Sequence, residues 1–135
     1  MVGLSFSDAF GRYGAKPRNV QWAVSAIADD QLVVSCWKQY FKSAIGGALP
    51  YQDKLSRCGG PGSELLREHL EKAIADDMPI RLVMAQTDDE DAVARGVGVS
   101  TVRKSFSVRK DLVGHVTEFD GDNFRIEFRR ESADH

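Results

Sequence analysis

Trp22 and Trp37 lie on either side of an Asp29-Asp30 pair that has the chemistry of a turn. A hairpin symmetric about that pair sets Trp22 opposite Trp37, Val24 opposite Ser35 and Val20 opposite Gln39 on one face. Lys16, Arg18, Lys38 and Lys42 are close in sequence, so two facing indoles could form a stacking platform for a base or a sugar. The same face carries Ala26, Val33 and Phe41, the pattern of a core. A buried aromatic pair contributes about 1 kcal/mol beyond its buried area. The pattern therefore favours packing for at least one indole, and a contact role requires a ring at the rim of the sheet.

A second candidate is the run Arg57-Cys58-Gly59-Gly60-Pro61-Gly62-Ser63 ahead of a helix. Glycines such as Gly59 and Gly60 let backbone N–H groups converge, a helix N-terminus adds partial positive charge, and Arg57 adds a full one. A small anionic ligand would suit that chemistry, and so would a hydrolase-like reaction on an anionic substrate. The Gly-Lys-Ser/Thr ending of a nucleotide loop is missing, and a plain connection capped by Ser63 is the simpler expectation. Gly96-Val97-Gly98-Val99-Ser100 lacks the third glycine of a dinucleotide fingerprint.

The third candidate is a basic group on the C-terminal strands: Arg103, Lys104, Arg109, Lys110, Arg125, Arg129 and Arg130. Arg125 and Arg129 fall on one face of the last strand, a footprint suited to a nucleic-acid backbone. Glu118 and Glu127 sit among them and could pair with them instead. Asp120, Asp122, Glu127 and Arg129 resemble a nuclease-like cluster only loosely. The two aspartates already have a turn role, and arginine stands where a lysine is usual. Asp88-Asp89-Glu90-Asp91 reads as helix-start acids rather than a cation site. His69, His115 and His135 with Cys36 and Cys58 show no metal-ligand spacing, and no cofactor motif or catalytic residue is assigned. Cys36 reads as a small buried hydrophobe within a strand.

These residues require a frame. Phe6–Tyr13 suits a short helix capped by Ser7 and ending near Gly14. Strands are expected over Asn19–Ile27 and Gln31–Phe41, and residues 43–62, rich in glycine and proline, read as a long loop. The main helix spans about 63–77, with Leu66, Leu70, Ala73 and Ile74 at helical spacing before Met78-Pro79 stops it. Ile80–Ala85 is an apolar run of central-strand length, and Thr87-Asp88-Asp89-Glu90 is a capping box for a second short helix. A final hairpin turns at Gly121-Asp122, pairing Phe119 with Phe124, Glu118 with Arg125, Thr117 with Ile126 and His115 with Phe128. The sum is one α+β domain over 1–135. It has a mostly antiparallel sheet of five or six strands that could close like a barrel, one main helix and one or two short ones.

Composition sets outer bounds. With 135 residues, 42% hydrophobic and a net charge of −2, the chain can bury a core without staples and is not a generally basic coat. Charge is nonetheless segregated: residues 1–58 carry a net +3, 59–94 a net −6 and 95–130 a net +3. No apolar run approaches the ~20 residues of a membrane span, and the start lacks a signal-peptide pattern, so no membrane partner and a cytoplasmic location are expected.

Phe10-Gly11, Lys16-Pro17-Arg18-Asn19-Val20-Gln21-Trp22 and Val33-Val34-Ser35-Cys36-Trp37-Lys38 resemble small bacterial domains of unassigned function over the first forty or so residues. That resemblance includes no catalytic motif and carries over no functional residue. The order of elements is similar to PUA-like nucleic-acid modules, a likeness of fold only. The expectation is a binding domain that engages nucleic acid through Trp22, Trp37, Lys38, Arg109, Arg125 and Arg129. The alternatives are a small enzyme using Arg57, Gly59 and Gly60, or a homodimeric adaptor.

Overall fold

The computed structural model describes residues 5–17, 23–42, 46–58, 60–87 and 104–130. The first helix, α1 (Phe6–Gly11), is capped by Ser5, whose hydroxyl accepts from the Asp8 N–H at 3.1 Å. Ser5 thus takes the place expected of Ser7. Strands β1 (Ser25–Ala28) and β2 (Gln31–Trp37) form the first hairpin, with Ala26 opposite Val33 and Ala28 opposite Gln31. That register is the one expected from the Asp29-Asp30 turn, and it continues through the Ser35 N–H bonded to the Val24 carbonyl at 2.8 Å. Asp29 adopts φ 55°, a left-handed conformation that aspartate tolerates better than most residues.

A 3-10 turn (Lys38–Tyr40) leads to β3 (Ala48–Lys54), α2 (Leu55–Cys58) and α3 (Gly60–Ala75). Here the expected long loop is overturned, because seven of its residues form an edge strand. Pro50 is tolerated in β3 because β7 occupies only one side of the strand. Its carbonyl still accepts from the Lys42 N–H at 2.8 Å. The main helix begins at Gly60, with Pro61 in its first turn where no N–H is needed. Ser63 is therefore inside the helix, and its hydroxyl donates to the Leu55 carbonyl at 3.0 Å instead of capping.

Strands β4 (Ile80–Thr87), β5 (Lys104–Val108), β6 (Leu112–Phe119) and β7 (Asn123–Arg130) complete the architecture. The strand order is β1-β2-β4-β6-β7-β3, with β5 alongside β4. All pairs among the described residues are antiparallel except β2 with β4, so the α+β expectation holds. Among the described residues the sheet does not close into a barrel. One isolated bridge, Phe41 to Tyr51, joins the chain after β2 to the β3 edge.

Two cores explain the pattern of apolar residues. Leu66, Leu70 and Ala73 of α3 pack with Leu32, Val34, Ile80, Leu82, Ile126 and Phe128 on one face of the sheet. Phe10 and Ala9 of α1 pack with Val33, Trp37, Val83, Ala85 and Phe106 on the other. Strands β2 and β4 are thus buried on both faces, which is why they read as unbroken apolar runs. Ile74 is a correction: it drifts off the helix's buried stripe and is 50% exposed.

The last hairpin follows its expected register only near the turn. Phe119 faces Phe124 and Glu118 faces Arg125, but a bulge between Val116 and Glu118 shifts the remainder by one residue. His115 therefore opposes Glu127 rather than Phe128, and Val116 opposes Ile126. Beyond the bulge Leu112, Gly114 and Val116 turn toward the α3 core, and Val113 and His115 turn outward.

Candidate functional surface

Helix α1 covers only part of the second sheet face. It lies over β1, β2, β4 and β5, and among the described residues the β6–β7–β3 end of that face is left to mostly polar side chains, with Ala48, Pro50 and Val113 among them. The strand pairing lays these out in cross-strand rows. Gln52, Arg125 and Glu118 form one row, Pro50, Glu127 and His115 the next, and Ala48, Arg129 and Val113 the third. Arg125 and Arg129 share a face of β7, as the alternation in the sequence requires, with Cα atoms about 13 Å apart.

The electrostatics of this surface are mixed. The Arg125 guanidinium lies 3.2 Å from Glu127 and 4.0 Å from Glu118. Arg129 reaches Glu127 at 4.0 Å and donates to the Gly46 carbonyl at 3.1 Å. Below them, Arg109 at 3.0 Å and Arg130 at 3.7 Å share Asp111. The hydrogen bond from Arg109, followed by smaller charge effects, holds the Asp111 carboxyl below its ordinary pKa. Four arginines meet three carboxylates, Glu118, Glu127 and Asp111, so most of the positive charge on the face is neutralised and a small excess remains.

Two shallow cavities of about 250 Å³ each open on it. One is lined by His115, Thr117, Glu127, Arg129 and Arg130 with Val113. The other lies at the turn end, between Gln52, Glu118, Phe119, Asn123 and Arg125, with Asp120 and Phe124. The Asp120 carboxylate is committed to its turn, accepting from the Asp122 and Asn123 N–H groups at 2.9 and 2.7 Å. Those bonds hold its pKa below the ordinary value. Asp122 instead caps α2, accepting from the Ser56 N–H at 2.7 Å and the Ser56 hydroxyl at 3.1 Å. The loose nuclease-like grouping of these aspartates is thereby dissolved, and no cluster of three metal-ligating side chains occurs among the described residues.

The remaining candidates separate. Trp37 is 6% exposed beneath α1, so its ring is a core element and not a platform. Trp22 and Gly59 lie outside the described residues, as do Arg103, Asp88–Asp91 and Gly96–Ser100. Lys38 is exposed at the start of the 3-10 turn. Gly60 begins α3. Arg57 is turned inward, donating to both Asp53 oxygens at 2.6 and 2.5 Å and lying over the Tyr40 ring. The same Asp53 accepts from the Tyr51 hydroxyl at 2.8 Å, and that hydroxyl accepts from the Trp37 N–H at 3.2 Å. Arg57 thus serves a buried network joining β2, β3 and α2.

A serine–histidine pair, which sequence spacing does not reveal, links β1 to α3: Ser25 Oγ and His69 Nδ1 are 2.8 Å apart. Ser25 is completely buried, so the pair fastens the helix to the sheet and offers no accessible nucleophile. Sequence reasoning also missed Gln52, because Pro50 obscured the alternation of Leu49, Tyr51 and Asp53 inward with Gln52 and Lys54 outward.

No family model matches the chain. Searches of curated proteins and of solved structures likewise return no significant match. The surface must be read from its own chemistry. Among the described residues no helix is long and apolar enough to cross a membrane.

Proposed function

We propose that this chain is a non-catalytic binding domain that engages nucleic acid through the outer face of β6 and β7. The observation that carries the reading is the placement of Arg125 and Arg129 on one face of β7, beside Arg130 and His115, where α1 does not cover the sheet. Cations repeated along a strand suit a repeating anion better than a single small one. Glu118 and Glu127 compete for the same guanidinium groups, so the binding is weak and strongly salt-dependent. Trp37 takes no part in the contact, and the reading stands without the tryptophan pair.

The test is fluorescence anisotropy of labelled oligonucleotides at low salt. The expected result is a Kd between about 1 and 100 µM that weakens with salt, and weakens further in Arg129→Glu. No binding below ~100 µM at low salt sinks the proposal.

A further inference from the structure

We infer that the cavity between Gln52, Phe119 and Arg125 seats one unstacked nucleobase, so that this face selects single-stranded over duplex nucleic acid. The inference rests on the reading just given and adds what the surface recognises. Three features of the cavity support it.

The first is Phe119. It packs against the α3 core and also lines the cavity, yet its ring is in contact with no other aromatic ring among the described residues. Phe124, directly opposite in register, instead has Tyr51 as its ring neighbour at 6.2 Å. An anchored ring bordering an open cavity is what stacking on a base requires.

The second is the set of polar groups. Gln52 is exposed beside the cavity, and its amide makes no hydrogen bond among the described residues. An amide offers a donor and an acceptor side by side, the pairing that matches the edge of a base. Arg125 donates from Nε to Glu127 at 3.2 Å, with Glu118 at 4.0 Å, so one edge of its planar group is fixed before any ligand arrives.

The third is size and charge. At about 250 Å³ the cavity is smaller than the ~300–1,000 Å³ of most small-molecule sites, which suits one flat heterocycle. Glu118 and Asp120 line it and repel a phosphate, so the neutral base enters and the phosphates lie toward Arg129 and Arg130. A base in a duplex is stacked and paired, and reaching this cavity would require extracting it.

The test compares a labelled single strand with the matching duplex, using wild type, Phe119→Leu, Gln52→Ala and Arg129→Glu. The single strand should bind more tightly than the duplex. Phe119→Leu and Gln52→Ala should each weaken it about tenfold while leaving duplex binding unchanged. Arg129→Glu should weaken both. Should the leucine variant fail to fold, the exposed Gln52 substitution carries the test alone. Equal affinity for strand and duplex, or wild-type affinity in Gln52→Ala, overturns the inference while leaving the binding face intact. Absence of binding to either probe removes the face as well.

Discussion

Gly114 lies directly opposite Phe128, and a Cβ built on it would stand 2.6 Å from the Phe128 ring. The ring fills the space that any other residue's side chain would need. Ile126 closes the same space from the next position, at 2.9 Å. Gly114→Ala should therefore destabilise the fold by about 2–3 kcal/mol, since a fully buried ring cannot swing clear. Urea unfolding followed by circular dichroism measures the change. A cost under about 0.5 kcal/mol would mean the hairpin yields more easily than its packing implies.

Asp53 and Arg57 form an ion pair with side chains 5% and 13% exposed. Removing one member leaves the other charge buried, at a cost of about 3–5 kcal/mol. Asp53→Ala should lower the thermal midpoint sharply. Replacing both residues by apolar ones of similar volume should recover much of the loss. If the single and double variants melt alike, the pair is not the source of the cost.

Tyr51 predicts an alkaline limit to stability. Burial first, and the neighbouring Asp53 carboxylate second, push its phenol well above the ordinary value. A raised folded-state pKa means that its stabilising contribution is whole below the unfolded value, about pH 10, and is lost as pH rises beyond it. Stability should fall above about pH 10, and less steeply in Tyr51→Phe. The phenylalanine variant should also lose about 1–3 kcal/mol near neutral pH, where the Trp37 N–H loses its acceptor. Denaturant titrations across that pH range check both effects.

Trp37 supplies an optical prediction. In a Trp22→Phe variant its emission should be blue-shifted and resistant to acrylamide, because the ring is packed under α1. Oligonucleotide binding should leave that emission unchanged. A strong quench on binding would return the indole to the contact surface.

Local chemistry made much of the frame legible. The Asp29-Asp30 turn led directly to the β1–β2 register, and the Gly121-Asp122 turn to the pairing of Phe119 with Phe124. Both follow from residues adjacent in sequence. The bulge near Thr117 did not, because the alternation of the strand carries no mark of the extra residue that sets Gly114 opposite Phe128. Strand β3 was hidden for a related reason: Pro50 and the flanking glycines resemble a loop until β7 supplies the pairing. The binding face was half visible. Alternation placed Arg125 and Arg129 together, but only the β3–β7 pairing brings Gln52 beside Arg125.

That pairing has a consequence during synthesis. Strand β3 takes its ladder partner from residues 123–130, and α2 takes its cap from Asp122. Tyr51 and Leu55 lie in the core, yet neither can be enclosed until some seventy later residues have been made. While the chain is still on the ribosome, the middle of the molecule waits with its apolar side chains uncovered. Pairing this distant in sequence makes the edge strand a late event, and the uncovered apolar segment is where premature association would begin.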